Sequence, residues 1–459
     1  MPAMRAMSRP RVLLYAPRLY DLGFKQHHID GEALALYAHL RREGYECVFL
    51  DSYYRAVRAP ALAEAITAAG DVNAVLVHLW TSDAYGPRLR AIADELAAIR
   101  RTCQVPVIAF GPLAVSADAE LRAHGAIDYS IGLDRRRQLT AATPDLAGIG
   151  ETIGRYLRSH TPLTVLGPGD LPYLADAVVS VSASRGCYGR CTFCAYNADL
   201  GGGWLELPVP DVVADIAHLN RLTGATRFAL ADSDFGGTQD ACRARARQLA
   251  DGLADQGLAG ELRLSINVRS ETLDPQTVRV LAGAGVRTML IGVESFTEET
   301  LHRLYGKRQD LAHLTEVVTA ADACGITTVA SYILWHPWQT IPGIRRELDA
   351  IEAFGRWRIP QFMARSQLLV IPGTVIEHKL RRSGLLDARP FERRFRFADP
   401  AASALHHALG GWFEQTALPV LTGLSERRAD DISALAALKA AEWQWLTAQP
   451  ALTAAATHA

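Results

Sequence analysis

The chain has 459 residues, with 48 Lys and Arg against 49 Asp and Glu and a formal net charge of −1. That balance excludes bulk attraction to nucleic acid or to an anionic membrane. No apolar run has the length of a membrane span, and residues 1–10 lack the apolar core of a signal peptide. Seven cysteines, three of them clustered, fit a reducing cytoplasm better than a disulfide framework, and the length allows two or three domains.

In chain order, Arg11-Val-Leu-Leu-Tyr-Ala-Pro17 is a short apolar run ended by proline and reads as a buried strand. An amphipathic helix follows over Glu32–Glu43, then strands at Cys47–Asp51, Asn73–Trp80, Val105–Phe110 and Ala126–Ile131, with helices at Pro60–Ala69 and Arg88–Arg101. Strands alternating with helices predict a doubly wound parallel sheet, a Rossmann-like domain over residues 10–145. Residues 146–174 read as a linker, with the turn Gly167-Pro-Gly-Asp-Leu-Pro172 as its clearest mark.

From 175 to 385 six strand–helix units follow, the last strand at Ser366–Val370, which predicts a partial (β/α)6 barrel of the TIM type. In such barrels the residues just after each strand are the site candidates. The first strand, Val178–Ser182, delivers Ser184-Arg-Gly-Cys187-Tyr-Gly-Arg-Cys191-Thr-Phe-Cys194. A closed zinc site needs four protein ligands; this loop supplies three thiols, and no Cys or His lies within the next twenty residues to be the fourth. Residues 386–459 read as a helical C-terminal region, with Ser425–Leu446 as one amphipathic helix. Arg389-Pro-Phe-Glu-Arg-Arg-Phe-Arg396 reads there as a solvated helix or a domain contact.

The spacing C-x3-C-x2-C, with Phe193 before its last cysteine, resembles the signature of the radical S-adenosylmethionine (radical SAM) superfamily. The resemblance implies a [4Fe–4S] cluster on Cys187, Cys191 and Cys194, whose open iron binds SAM. SAM is then cleaved reductively to a 5′-deoxyadenosyl radical that abstracts a substrate hydrogen. Further segments match the family in order. Phe228-Ala-Leu-Ala-Asp232-Ser-Asp234-Phe235 is similar to its acidic strand end, and Asn267-Val-Arg269-Ser270 to the strand that meets SAM. Gly292-Val-Glu294-Ser295 and Pro372-Gly373-Thr374 continue the match, whereas Trp335-His-Pro337-Trp338-Gln-Thr340 stands where relatives carry Gly-Leu-Pro-Gly-Glu-Thr. By resemblance Phe193, Arg269, Glu294, Ser295 and Pro372 are expected at the cofactor. Asp232 and Asp234 are expected to be catalytic, either one supplying a general base, although both residues also suit helix-capping turns. Trp335 and Trp338 read equally as core or as a rebuilt substrate-pocket wall.

The first domain resembles the cobalamin-binding module that precedes the barrel in one subgroup, through Asp30-Gly31-Glu32 and Phe110-Gly111-Pro112. It departs from that module at Leu133-Asp134-Arg135-Arg136. Gln26-His27-His28-Ile-Asp-Gly31 carries Gln where the base-off signature has Asp. The carboxylate that would orient a metal-bound histidine is absent there, so His28 reads as an ordinary loop residue. Cobalamin bound without histidine and a vestigial module both stay open. The layout is similar to the radical SAM diol-dehydratases of aminoglycoside antibiotic biosynthesis, which implies dehydration of a 1,2-diol of a polyamino sugar such as paromamine, deoxygenating its 3′ carbon. A flavodoxin or ferredoxin reductant and an NADPH-dependent reductase partner would accompany it. The alternatives are a cobalamin-dependent methyltransferase of a natural product and a degenerate cluster-bearing scaffold.

Overall fold

Short apolar strands, each followed by a helix that covers it, build two parallel sheets. The computed structural model describes residues 10–17, 28–51, 62–80, 85–132, 144–170, 178–196, 203–230, 232–427 and 431–456. The first sheet contains β1 (Arg11–Ala16), β3 (Glu46–Asp51), β4 (Ala74–His78), β5 (Val107–Phe110) and β6 (Tyr129–Ile131), in the order β3-β1-β4-β5-β6. All of its pairings are parallel. The chain winds one way from β1 to β3 and the other way from β4 to β6. The order therefore reverses between β1 and β4, where doubly wound sheets open a ligand crevice at their carboxyl ends.

Helix α1 (Gly31–Arg42) begins at that edge, capped by Asp30, whose side chain accepts from the Ala33 amide at 3.0 Å. Gly31 lies so close to the second sheet that an added Cβ would collide with the Ser180 carbonyl. The second sheet runs β13-β12-β11-β10-β7-β2, all parallel: β7 (Val178–Val181), β10 (Arg227–Leu230), β11 (Arg263–Val268), β12 (Val286–Glu294) and β13 (Thr327–Tyr332), with β2 (His28–Ile29) beside β7. Helices Val209–Thr223, Gln239–Asp255, Pro275–Gly283, Leu311–Ala323 and Ile341–Phe354 follow its strands in turn.

Three sequence expectations change. The last expected strand, 366–370, contributes only the bridge Trp335–Gln367. The sheet's sixth strand comes instead from residues 28–29, inside the stretch assigned to the first domain, so the boundary between domains is not a single cut. The expected linker is largely structural: α6 (Pro144–Tyr156) packs against α1, and Ile149, Ile153 and Tyr156 are wholly buried in a core that continues into the barrel. At this seam Glu32 of α1 pairs with Arg185 at 3.1 Å and accepts from Ser182 and Tyr156. The Arg185 guanidinium also lies over the Tyr156 ring at 4.5 Å.

The C-terminal region is helical, as read, except for a hairpin of β14 (Leu386–Arg389) and β15 (Glu392–Phe395). The basic run inside it is a domain contact: Arg393 pairs with Glu120 of the first domain and with Glu377 at 3.1 Å. Helix Ile432–Thr447 is fastened by Glu442, which accepts the Met363 and Ala364 amides at 2.8 Å each. No helix among the described residues is long and apolar enough to cross a membrane.

Candidate active site

The cysteine loop is anchored at both ends before any cofactor is considered. After β7 the chain turns, and the buried Asp232 carboxylate accepts the Ala183 and Ser184 amides at 2.7 and 2.8 Å. Strand β8 (Ser184–Gly186) then pairs antiparallel with β9 (Trp204–Glu206). Beneath it the enclosed Arg245 donates to the carbonyls of Phe235, Leu207 and Ala183. At the far end the Thr192 amide donates to Tyr305 at 2.9 Å, and the Ile376 amide donates to Thr192 at 3.0 Å. Phe193 packs edge-on against Tyr305 with centroids 5.3 Å apart. The loop is therefore a fixed platform at the carboxyl end of the barrel strands.

On that platform the Gly189 amide donates to the Cys187 sulfur at 3.2 Å. A Cβ on Gly189 would stand 3.2 Å from the Cys187 sulfur and 3.8 Å from that of Cys191, so the glycine keeps the space between them open. Burial pushes the Cys187 thiol up, and that of Cys191 up to about 11. The opposing influences are the Gly189 amide and then Arg269 at Cys187, and Lys307 and Arg269 at Cys191. Among the described residues no three His, Cys, Asp or Glu side chains converge on the position of one metal ion. Three cysteines on one loop, with Arg269 beside Cys187 and Cys191 and Lys307 beside Cys191, would hold a multi-iron cluster that keeps one iron open.

The neighbouring strand ends supply the charges. Asp234, wholly buried, lies 3.8 Å from Arg269 and 4.0 Å from the Cys187 sulfur, and accepts the Gly236 amide at 3.2 Å. Burial pushes its carboxyl up to about 6 against the lowering effect of Arg269. Burial pushes Asp232 further, to about 7, and its second oxygen has no hydrogen-bond partner among the described residues. Arg269 also faces Glu271 at 3.5 Å. Glu294 accepts from Ser331 at 3.0 Å and faces Lys307 at 3.6 Å. Its backbone has φ +67°, a left-handed conformation that costs a non-glycine residue about 1–2 kcal/mol. It sits where the β12–β13 register shifts between Gly292 and Glu294. Such local strain is held where the surrounding structure over-determines it and clusters at functional sites.

Asp234, Arg269 and Glu294 thus join the cysteines in one region. Lys307 joins them, donating to the Gly292 carbonyl. Other expected residues lie apart. The Ser295 hydroxyl donates to Glu347, which also accepts the Phe296 amide at 2.8 Å and the Tyr332 hydroxyl at 2.6 Å; its contacts tie β12 to the helix Ile341–Phe354. Trp335 is a correction: its ring is 0% exposed and its indole N–H donates to Met363 at 2.7 Å, so it belongs to the core and not to a pocket wall. Trp338 is partly buried, with the Lys379 ammonium 4.7 Å from its ring centre. Pro372 is buried in the turn before Gly373, whose amide donates to Glu377 at 2.9 Å. The side chain of His28 lies outside the described residues, as does the Leu133–Arg136 departure.

Residues 181–346 match the family model of the radical SAM superfamily. This part of the chain is a radical SAM domain, and its cofactors are a [4Fe–4S] cluster and SAM. An uncharacterized methyltransferase of Pyrococcus horikoshii is 24% identical over 186 residues, 40% of this chain and 38% of the relative. A putative methylthiotransferase of Methanocaldococcus jannaschii is 25% identical over 171 residues, 36% of this chain and 37% of the relative. The matched regions thus span under two fifths of either relative. Among solved structures, the radical SAM methyltransferase TsrM of Kitasatospora setae, with cobalamin and a [4Fe–4S] cluster bound, superposes with a TM-score of 0.62. It is 17% identical, over 83% of this chain and 76% of that one. The cobalamin-dependent SAM radical enzyme OxsB with aqua-cobalamin gives 0.69 at 14% identity, over 96% and 72%. The fold is similar to that of these two cobalamin-dependent enzymes.

Proposed function

We propose that this chain is a cobalamin-dependent radical SAM methyltransferase acting on a small molecule. The observation that carries this reading is the seam between the sheets. Helix α1 starts at the ligand edge of the first sheet, and its Glu32 is bonded to Ser182 and Arg185, immediately before Cys187. A ligand held at that edge is thereby placed beside the cysteine loop. The names of the relatives and the fold of the two cobalamin-bound structures support the same class. When bound, the cluster supplies the electron that cleaves SAM, and the corrinoid supplies a transferable methyl group.

The residues of this chain bind and orient. Arg269 and Lys307 offset the negative charge of three thiolates, and Glu294, held by Ser331 and Lys307, presents a fixed carboxylate at the open end of the barrel. Loss of water from an aminoglycoside diol is a second reading, favoured by Asp232: a buried carboxyl near 7 with one bare oxygen suits proton transfer at neutral pH. Anaerobic turnover of reconstituted protein with SAM, reductant and paromamine, with and without methylcobalamin, separates the two. Cobalamin-dependent S-adenosylhomocysteine and a methylated product support methyl transfer. 5′-Deoxyadenosine without S-adenosylhomocysteine, and a product lighter by water, would replace it by dehydration. SAM cleaved with paromamine untouched would discard that substrate and leave the radical class standing. An unaffected biological role after Cys191→Ala would point to a scaffold.

A further inference from the structure

The two halves of the cysteine loop meet different surroundings. Ala195, next to Cys194, is 1% exposed and packs with Ile371 into the core of the first sheet. Tyr188 and Arg190, between Cys187 and Cys191, stand in solvent, Tyr188 being 48% exposed. That outer side is thinly covered. Gly306 is exposed at φ +64° between the buried Tyr305 and Lys307, and a Cβ on it would stand 3.2 Å from the Arg190 carbonyl and 3.3 Å from the Thr192 methyl. Bare backbone therefore flanks the segment that carries Cys191. On the other flank the helix Val375–Arg382 starts with its Ile376 amide on the Thr192 carbonyl at 3.0 Å and turns Val375 outward, 61% exposed.

Two cations frame these groups. Arg190 and Arg308 are exposed, and neither side chain makes a hydrogen bond or ion pair among the described residues. The carboxylates nearby are mostly engaged: Glu299 pairs with Arg303 at 3.3 Å and Asp310 caps the helix Leu311–Ala323, which leaves Glu298 against the two arginines. An exposed aromatic and an exposed aliphatic side chain rimmed by unpaired arginines are what a protein interface offers at its centre and rim. We propose that Tyr188, Arg190, Arg308 and Val375 form the docking surface of the electron donor, a small acidic one-electron carrier protein. This rests on the cluster assignment above. The carrier's carboxylates are the counter-charge the two arginines lack, and complementarity of that kind governs encounter between transient partners. One electron leaves the carrier and enters the cluster, and no bond is made or broken between the two proteins.

The test uses the full chain with its iron–sulfur cluster reconstituted and flavodoxin as the probe. Binding of oxidised flavodoxin is measured by titration calorimetry at low and high salt. Formation of 5′-deoxyadenosine is measured separately with reduced flavodoxin and with reduced methyl viologen, a small cation that needs no docking surface. Wild type should bind flavodoxin, and more weakly as salt rises, because screening acts on exposed charges. Arg190→Glu combined with Arg308→Glu should weaken binding about tenfold or more and slow the flavodoxin-driven reaction in step, with the viologen-driven reaction unchanged. Val375→Ser should weaken binding at every salt concentration. Equal flavodoxin affinity in the double variant and wild type overturns the assignment, as does no binding by a wild type that viologen still drives. An equal loss with viologen also overturns it, since the arginines would then act on the cluster and not on docking. Self-association lost in the double variant, with flavodoxin binding intact, would give the face to a second copy of this chain instead. A wild type that cleaves SAM with neither donor overturns the cluster reading itself, whatever it binds.

Discussion

At the mouth of the barrel the polar groups arrive on short strand ends, and each can be read from a few adjacent letters. At the carboxyl edge of the first sheet Asp30 and His78, 48 positions apart, form a buried pair at 2.6 Å, and neither flanking segment advertises it. The barrel site is written as a set of local motifs; the edge of the first sheet is assembled by topology. Function concentrated in loops at strand ends survives in sequence as pattern, whereas function made by bringing two elements together does not.

The sharpest way to break this contrast is to remove a motif residue. Cys191→Ala should abolish iron retention and 5′-deoxyadenosine formation together, with the circular dichroism spectrum unchanged, as measured on anaerobically reconstituted protein. Retained SAM cleavage would show that the loop is not the platform argued here.

Core and site are distinguished next. Trp335→Ala should destabilise the fold by about 3–5 kcal/mol, as truncation of an enclosed aromatic does, while Trp338→Ala should cost far less. Denaturant titration of both variants decides it, and equal costs would put Trp338 in the core as well.

Glu294→Gln tests whether the left-handed strand end serves the cofactor. The amide keeps the Ser331 contact but leaves Lys307 without its charge partner, and we expect SAM affinity to drop about tenfold, equivalent to about 1.4 kcal/mol, with little change in melting temperature. Unchanged SAM binding would assign Glu294 to the fold alone.

The last effect is pH-dependent. The Asp232 carboxyl is raised from 3.8 to about 7 in the folded chain. Its folded form therefore holds a proton that the unfolded chain has released, and this contribution to stability is complete below about pH 4 and lost as pH rises towards 7. Asp232→Asn lacks this dependence. The difference in melting temperature between variant and wild type should grow in the variant's favour from pH 5 to pH 8. A constant difference over that range would mean the carboxyl titrates normally.

Much of the architecture was legible because it rests on periodicity. The alternation of apolar runs with amphipathic helices is enough to place β1, β4, β5 and the barrel strands within a residue or two. What sequence could not supply was partnership across distance. His28–Ile29 are two residues long and become a strand only because β7 offers an edge, and 366–370 looks like a strand yet makes one bridge. Trp335 follows a barrel strand, as a site residue should, but packing of Phe397 and His406 against it encloses the ring. Asp232 and Asp234 were read as an acidic pair. Their side chains diverge, one to the backbone of the loop base and the other to Arg269, because both lie past the end of β10 at Leu230, where the alternation that puts residues two apart on one face no longer holds.

The Arg393 contact has a consequence for building chimeras. Its guanidinium reaches Glu120 in the first sheet's α5 (Asp118–Ala123) and Glu377 in the helix that follows the Pro-Gly-Thr turn, and the Phe391 amide donates to Glu120 at 2.9 Å. The hairpin is a staple between modules that lie far apart along the chain. A graft that moves residues 1–170 onto another barrel would part Glu120 from this arginine, and exchange of the tail alone would part it from both carboxylates, of which Glu377 keeps Arg381 at 2.9 Å. Recombination between relatives should therefore succeed where Glu120, Glu377 and Arg393 travel together, and yield insoluble protein where they are parted.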